Sequence, residues 1–423
     1  MESFVKSKTY RPSNTNERIT KGWIVLKKST AWQFAILCGV PFIMVLGNSM
    51  LIPVFPQMQQ AMDITKFQVG LIVTFFSVPA GLLIPFAGFL SDRYGRKVIM
   101  VPALLLYGIG GLISGFSALL LPKPYIPLLI GRIIQGTGAG GTYQLAMALT
   151  GDIFQSEERT KALGLLEASN GFGKVVSPLL GSAIALITWF APFFLYGILT
   201  FPIALGVWFL VKEPKGNTTK ESFAEYWKKL KEVFSEKLAT LLGCYFVGSV
   251  SLFTLFGVLS HFSDIFETDY KIFGIIKGLV LAIPVFAMAA SSYLSGVILS
   301  SKKNLWKIII VSGMVLTTIT LLLIPPFDNL IGLLIVLFFL GVSIGIILPP
   351  INSLITGATS AEKRGVVTSL YGTVRFFGVA IGPPTFGLAL ALGNWGMFIA
   401  AGAIALSAAI IALCFITPSK DKE

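Results

Sequence analysis

Long apolar stretches alternate with short polar loops along the whole chain. Twelve of them are long enough to cross the hydrocarbon core of a bilayer, which takes about 20 apolar residues in a helix. In chain order, spans 1 to 12 cover residues 32–56, 67–90, 98–121, 125–152, 162–186, 189–211, 238–261, 273–299, 307–326, 329–356, 365–390 and 394–416. The pattern predicts an all-α integral membrane protein. Its polar first 30 residues read as a cytoplasmic tail rather than a signal peptide.

The longest polar stretch, residues 212–237, separates the spans into two groups of six. Within it, apolar side chains recur at helical spacing opposite lysines, at Phe223, Trp227, Leu230 and Phe234. The spacing predicts an amphipathic helix on the inner membrane surface, serving as a tether or as a partner-binding element. The predicted organisation is a tail at 1–30, a half at 31–211, the linker at 212–237, a half at 238–416 and a tail at 417–423.

Charge is scarce and unevenly distributed. Only 13% of residues are charged, and 26 of the 33 Lys and Arg residues fall on the side of the N-terminus. The opposite loops hold only Lys66, Lys123 and Lys271. The positive-inside rule then predicts a multi-pass membrane protein with both termini in the cytoplasm. The net charge of +13 is scattered over many loops, which favours contact with anionic lipid heads over nucleic acid.

The loop between spans 2 and 3 reads GFLSDRYGRK over residues 88–97. It resembles the signature loop of the major facilitator superfamily, G-x-L-(A/S)-D-R-x-G-R-(K/R), at every fixed position. Its glycines permit a tight reversal, and we expect Asp92 to offer its carboxylate to a helix N-terminus. The resemblance implies a cytoplasmic gate that also uses an acid at the end of span 4. The gate residues would be Gly88, Asp92, Arg93, Gly95, Arg96 and Asp152.

The two groups of spans are related by an internal repeat. A shift of 205 residues without a gap brings Gly136 onto Gly341 and Arg159 onto Arg364. The same shift pairs further glycines and prolines of spans 4 and 5 with those of spans 10 and 11. The family resemblance implies two pseudo-symmetric six-helix halves that rock around a binding site near the bilayer midplane.

Spans 5 and 11 carry related runs of glycine and proline, ASNGFGKVVSPLLGSA and GVAIGPPTFG. The first resembles an antiporter element of the family, although two of the glycines are serines here. Small residues and proline favour kinked helices that approach one another closely. The predicted packing hinge consists of Gly173, Pro178, Gly181, Gly378, Gly382 and Pro383.

Five ionisable residues fall well inside the spans, and none of them is in spans 3, 6, 9 or 12. They are Arg132, Glu167, Lys174, Lys277 and Arg375. Such residues cost about 2.5–3.5 kcal/mol each on insertion scales, so they normally face protein or water. The spans without them are those that the family fold places against lipid. The distribution therefore predicts a polar cavity at the centre of the molecule.

Glu167 is the candidate proton carrier, because a carboxylate held away from water can exchange protons near neutrality. Arg132 resembles a family position associated with coupling, and a structural ion pair is its alternative. His261 and Asp264, at the outer end of span 7, could contribute to coupling or form a solvated helix end. The predicted cavity residues are Asn48, Ser49, Arg132, Gln144, Asn170, Lys174 and Arg375.

These features predict a secondary active transporter, acting by proton-coupled efflux of drugs or amphipathic small molecules. The excess of basic residues in the spans keeps a second possibility open, a dedicated exporter of an anionic metabolite such as a siderophore. A membrane enzyme or receptor is a third, and a single histidine with no metal-spaced cluster or nucleophile motif argues against it. We expect a monomer that binds substrate, protons and lipids and needs no metal or cofactor. The three cysteines read as packing residues.

Overall fold

The computed structural model describes residues 28–154, 156–214, 223–299, 302–357 and 364–417, and in these ranges the chain is helical with no strand. The helices are α1 Lys28–Ser49, α2 Phe55–Met62, α3 Lys66–Tyr94, α4 Arg96–Leu120, α5 Tyr125–Ala139, α6 Tyr143–Ile153, α7 Ser156–Ile184, α8 Ala191–Leu210, α9 Phe223–Thr268, α10 Gly274–Leu299, α11 Trp306–Leu323, α12 Leu330–Gly357, α13 Arg364–Ala389 and α14 Gly393–Phe415. Three short 3-10 turns lie at Ile52–Val54, Lys303–Leu305 and Leu390–Leu392.

Most of the predicted spans are single helices. In the described ranges, nine stretches are long and apolar enough to cross a membrane, and the last of them, Gly365–Phe415, contains both α13 and α14. The other two predicted spans are 4, which is divided into α5 and α6, and 5, which is α7 with its charged residues. The all-α membrane fold is confirmed, and the helices are compatible with twelve spans.

Two spans depart from a simple helix. Span 4 breaks between Ala139 and Tyr143, where Thr142 has φ −112° and ψ −81°. The break follows a run of glycines, which lower the helix propensity of the segment. Span 7 continues a helix that begins in the linker at Phe223 and bends at Lys237, with φ −137° and ψ 32°. The linker is therefore joined to the second half by a helix.

The predicted apolar face of the linker helix is not among the described parts. Backbone positions from Phe223 onward are helical, but the side chains of Phe223, Trp227, Leu230 and Phe234 lie outside the description. Residues 1–27 and 418–423 of the predicted tails also lie outside it. The surface role of the linker therefore stays a prediction.

Helix packing repeats from one half to the other. Helix α1 packs against α7 and α8, as α9 packs against α13 and α14. Helix α5 packs against α3 and α4, as α12 packs against α10 and α11, and α4·α8 corresponds to α11·α14. Between the halves, the main contacts are α3 with α13 and α10 with α7. The pseudo-symmetry relates one contact to the other, because α3 corresponds to α10 and α13 to α7. The two halves are thus pseudo-symmetric, as the repeat predicts.

Glycines paired by the repeat allow the closest helix contacts. A Cβ built on Gly136 of α5 would collide with the carbonyl oxygen of Phe76 in α3. A Cβ on Gly341 of α12 would collide with the carbonyl oxygen of Pro284 in α10. Helix backbones can approach this closely only where the side chain is absent. The paired glycines of the sequence repeat therefore make the same kind of helix contact in both halves.

Candidate functional site

A cavity of about 950 Å³, which includes space open to solvent, lies between the halves. Helices α1, α3, α6, α7, α9, α10 and α13 form its wall. Most lining residues are apolar, and the aromatic ones include Phe76, Phe256 and Phe376. The structure brings together six of the seven predicted cavity residues and the predicted proton carrier. These lining residues are Asn48, Ser49, Gln144, Asn170, Lys174, Arg375 and Glu167.

Contacts between the halves close one end of this cavity, which is the outer end in the predicted orientation. The Asp264 carboxylate of α9 accepts a hydrogen bond from Gln59 Nε2 at 3.1 Å, and its second oxygen lies 3.0 Å from Lys66 Nζ. Ser263 Oγ donates to the carbonyl oxygen of Ile52 at 2.6 Å. Asp264 is only 5% exposed, which excludes the solvated helix end, one of the two alternatives for this position. We call Gln59, Lys66 and Asp264 the outer latch.

His261 is also buried, unlike a residue at a solvated helix end. Its ring makes edge contacts with Phe262 and Phe398. Sequence reasoning missed the outer latch, because charged residues near helix ends are common on any membrane protein. Only the packing of α9 against the first half shows that these ones meet.

On the cytoplasmic side the cavity wall includes an exposed acid. Glu167 of α7 is exposed and accepts a hydrogen bond from the Tyr143 hydroxyl of α6. Asn170 lies one turn further along α7 and is buried. The polar wall thus runs from the protein surface at Glu167 to the buried Asn170. In the predicted orientation, this exposed acid and the closed opposite end correspond to an inward-facing arrangement.

Two cations line the cavity from opposite halves, Lys174 on α7 and Arg375 on α13. In the described residues neither is within ion-pair distance of a carboxylate. The guanidinium carbon of Arg375 lies 5.4 Å from the centre of the Tyr371 ring, and its Nε is buried without a hydrogen-bond partner. Both groups are therefore available to a ligand.

Arg132 does not line the cavity, which corrects its predicted position. Its side chain is fully buried behind Asn48, and its guanidinium lies 4.4 Å from the Phe76 ring centre. It makes four hydrogen bonds within the first half: Nε donates to the carbonyl oxygen of Ile72 at 3.0 Å, and the other two nitrogens donate to three further oxygens. These acceptors are Gly47 O, Gln135 Oε1 and Asn48 Oδ1.

Asn48 connects this buried network to the cavity. Its Oδ1 accepts from Arg132, its Nδ2 donates to Ser77 Oγ at 2.9 Å, and its side chain also forms part of the cavity wall. The partners of Arg132 are thus neutral oxygens and not the carboxylate that the alternative of a structural ion pair requires. A guanidinium with several neutral acceptors is satisfied without an ion pair.

The signature loop joins helices at the cytoplasmic end. Arg96 forms ion pairs with Asp92 and, at 3.3 Å, with Asp152, and its NH1 donates to Ser91 Oγ. These contacts connect α3, α4 and α6 of the first half. Whether the cluster gates transport stays a prediction. The exposed Arg93 lies over the Tyr94 ring, with 5.7 Å between its guanidinium carbon and the ring centre.

The N-terminus of α4 is capped by a residue that the sequence did not indicate. The backbone N–H groups of Arg96 and Lys97 donate to the two carboxylate oxygens of Glu213, at 2.6 and 3.1 Å. We expected Asp92 in this role, but its carboxylate faces the Arg96 side chain. Gly95 makes the turn at φ 105°, a conformation that favours glycine. Gly88, one turn before Asp92, lies near Ser369 Oγ of the second half.

The predicted hinge residues are packing contacts, two of which join the halves. Gly181 of α7 lies against the backbone of Met50, and Gly173 lies against Phe42. In the second half, Gly378 lies against the Ser249 backbone and Gly382 against Phe253. The prolines act between the halves. Pro178 faces Gly278 of α10, and Pro383 faces Gly70 of α3.

The remaining predicted charge, Lys277, has a carboxylate partner, and of the three cysteines predicted as packing residues only Cys244 is buried. Lys277 is 2% exposed and lies 2.7 Å from Glu267, an ion pair outside the cavity. Cys38, Cys244 and Cys414 are free thiols at different depths. Over the described ranges, no cluster of three or more His, Cys, Asp or Glu residues could hold a metal ion.

Comparisons with known proteins agree with this fold. The family model of the Major Facilitator Superfamily matches residues 37–383. Curated relatives include the Bacillibactin exporter of Bacillus subtilis, 37% identical over 92% of this chain and 97% of that protein, and its Multidrug resistance protein 2, 23% identical over 89% and 94%.

Two solved structures show the same fold. A bacterial homologue of the human lysosomal transporter Spinster, inward-facing and occupied, aligns with a TM-score of 0.75 at 14% identity, over 92% of this chain and 97% of that one. The human organic anion transporter MFSD10 (TETRAN) aligns with a TM-score of 0.70 at 16% identity, over 92% and 100%. None of these names is that of an enzyme, and the enzyme alternative is excluded by the family. The chain belongs to the Major Facilitator Superfamily, as its signature loop predicts.

Proposed function

We propose that this protein exports amphipathic small molecules from the cytoplasm by alternating access, using a proton gradient. The observation that carries the proposal is the central cavity, closed outside by the latch and bordered by exposed Glu167 on the cytoplasmic side. A molecule that enters there would be released outside when the halves rock and the latch separates. The relatives named as an exporter and as a multidrug resistance protein support this direction.

The chemistry of the cavity supports an amphipathic substrate. Apolar walls with a few polar groups are typical of small-molecule sites. The rings of Phe76, Phe256 and Phe376 offer flat apolar surfaces, and Met44 and Met288 can adapt to different shapes. A cavity of this kind accepts bodies of varied structure and leaves selection to its polar groups.

Glu167 is the proposed proton carrier. Its carboxylate is exposed toward the cytoplasm, where a proton brought in from outside would be released. The Tyr143 hydroxyl donates to it and stabilises the charged form in this conformation. Rocking would present the same carboxylate to outer water, where it could be protonated again. One acid with alternating access is sufficient for proton exchange.

Transport in proteoliposomes tests the proposal. Protein oriented with its cytoplasmic face outward would be given a fluorescent amphipathic dye and an imposed pH gradient. We expect accumulation that disappears when a proton ionophore is added, with protein-free liposomes as the control. Accumulation that is the same with and without the gradient would contradict proton coupling, and no protein-dependent movement of any dye would contradict export.

A dedicated exporter of an anionic metabolite such as a siderophore is the second candidate. The specific observation that favours it is the pair of cavity cations without carboxylate partners, together with the relative named as a Bacillibactin exporter. The two candidates differ in breadth. Competition by one class of acidic ligand alone would favour a dedicated exporter, and competition by many unrelated dyes would favour broad efflux.

We further infer a location in the bacterial inner membrane with both termini in the cytoplasm, and a monomer as the working unit. The distribution of Lys and Arg supports the orientation. A single chain surrounds the cavity, so no second copy is needed to complete the site. Reporter fusions at each terminus would test the orientation, and native mass spectrometry would test the monomer.

A further inference from the structure

The buried and half-buried basic groups of this membrane protein fall into two kinds. Arg132 is satisfied by four oxygen acceptors, and Lys277 and Lys66 each have a carboxylate partner. Lys174 and Arg375 differ from these, because the described structure places no carboxylate within ion-pair distance of either one. Glu167, on the same cavity wall, acts on Lys174 only from a greater distance. A buried Nε of Arg375 even lacks any hydrogen-bond acceptor. Buried donors are normally satisfied, so the exceptions need a reason.

The positions of the two cations add a second observation. The 205-residue repeat places Arg375 opposite Asn170, and Lys174 opposite Val379. All four of these residues line the cavity. Equivalent positions of the two halves thus form the same wall. The cation of the first half, however, lies one helical turn further along its helix than the position equivalent to Arg375. Each cation has an uncharged residue at the equivalent position of the other half, so the helix packing that the halves share does not require the two positive charges.

We propose that Lys174 and Arg375 bind the acidic group of the substrate between the two halves, so that the cavity selects amphipathic anions. This inference rests on the proposed function and names the substrate class of its site. The apolar body of the substrate lies against the aromatic rings Phe76, Phe256 and Phe376. The acidic group replaces the missing counter-charge and satisfies the free Arg375 donor.

The pair also couples binding to movement. One cation belongs to each half, so an anion between them attracts both halves toward itself. Without an anion, two like charges face the same cavity and oppose its closure around an empty site. An acidic substrate therefore favours the closed form through which the halves pass. A cation bound in the same place would lack this effect.

A matched pair of probes tests the inference, dansyl-phenylalanine and its methyl ester, which differ in one negative charge. Binding would be followed by dansyl fluorescence on purified full-length protein in nanodiscs. For the wild type we expect tighter binding of the acid. Lys174→Gln and Arg375→Gln should each weaken the acid ten-fold or more and leave the ester within two-fold. The control Lys123→Gln removes one exposed outer-loop charge and should change neither.

Charge-retaining variants separate recognition from folding. Lys174→Arg and Arg375→Lys keep the positive charge and should restore selectivity for the acid. Equal weakening of acid and ester in the Gln variants would overturn the inference, and so would an unchanged preference for the acid. In either case dye export in proteoliposomes would continue and the proposed function would stand. Binding of neither probe together with absent dye export would overturn both.

Discussion

At the scale of single residues, the surroundings of a charge decide its role more than its position in the sequence does. Arg132 and Arg375 both lie inside predicted spans, but they differ in their hydrogen bonds. Arg132 has four acceptors, whereas Nε of Arg375 has none. A guanidinium that is hydrogen-bonded to several helices holds them together, and one with a free donor can bind a ligand. The sequence predicted that the intramembrane charges face protein or cavity. It could not separate the two kinds, because three of the four acceptors of Arg132 belong to other helices: the carbonyl oxygens of Ile72 and Gly47 and the side-chain oxygen of Asn48.

The first prediction concerns Glu167. The variant Glu167→Gln should abolish accumulation driven by a pH gradient and preserve downhill exchange, because the amide cannot carry a proton but keeps the shape of the side chain. Proteoliposome transport with and without the gradient measures both activities. The matched control Tyr143→Phe removes only the hydroxyl that donates to this carboxylate, and should retain coupling. Gradient-driven accumulation in the Gln variant would place the coupling site elsewhere.

The second prediction concerns Arg132. Replacing it by alanine leaves four buried acceptors without their donor and removes a contact with the Phe76 ring. We therefore expect the free energy of unfolding to fall by about 3 kcal/mol or more. Thermal unfolding in detergent should show a clear drop in Tm. Arg375→Ala, whose Nε has no partner to lose, should show little drop. Equal Tm values for the wild type and Arg132→Ala would contradict the structural role and return Arg132 to the coupling residues.

At the scale of helices, apolar patterning predicted the spans well and missed their irregularities. Span 4 reads as one stretch but breaks before Tyr143, and span 7 is continuous with the linker helix. Both differences arise at glycines or polar residues inside apolar surroundings, which a hydropathy pattern does not resolve. The capping of α4 by Glu213 was missed for another reason. Its 117-residue separation from Arg96 leaves no local signal in the sequence.

The third prediction concerns the repeated helix contacts. A methyl group at Gly341 would meet the Pro284 carbonyl, so Gly341→Ala should force α12 and α10 apart and cost about 1–3 kcal/mol. Gly136→Ala should behave in the same way in the first half. Thermal unfolding of each variant measures the effect. Gly171→Ala is the control, because no atom lies within 4 Å of its added Cβ and alanine favours helix. Equal Tm values in all three would contradict the packing role.

At the scale of the whole molecule, transport requires two arrangements of the same halves. The sequence predicted the two halves and their repeat, because both follow from the apolar pattern and from glycines and prolines that recur along the chain. The surfaces that meet in one arrangement and part in the other could not be predicted, because they bring together residues about 200 positions apart in the chain, such as Gln59 and Asp264. The signature loop is the exception, because its resemblance to a known family identifies it directly.

The fourth prediction concerns that loop. Asp92→Asn removes a charge that pairs with Arg96, so we expect slow turnover in a protein that is still folded and inserted. Transport rates normalised to purified protein, with Tm as the folding check, measure this. Asp152→Asn should act in the same direction, because Arg96 joins both acids. Wild-type transport by a well-expressed Asp92→Asn variant would remove the loop from the gate.

The outer latch sets the balance between the two arrangements, which gives the last prediction. Asp264 joins α9 to Lys66 and Gln59 of the first half, and we expect these contacts to separate when the outer side opens. Lys66 is 38% exposed, so its half-solvated pair is worth about 1 kcal/mol, or about a five-fold shift in population. Asp264→Asn should therefore increase the outward-open fraction. Spin-label distances between Lys123 and Leu392, two exposed residues of opposite halves, would lengthen in that fraction.

Lys66→Met provides the matched test, because it breaks the same pair from the other half. Combined with Asp264→Asn it should add little, since one ion pair can be lost only once. The control Lys271→Met removes an exposed outer charge that has no place in the latch and should leave the distances unchanged. If Asp264→Asn leaves the distribution as in the wild type, other contacts such as Ser263 with the Ile52 carbonyl hold the outer side closed. The arrangement of the halves would then depend on packing rather than on charge.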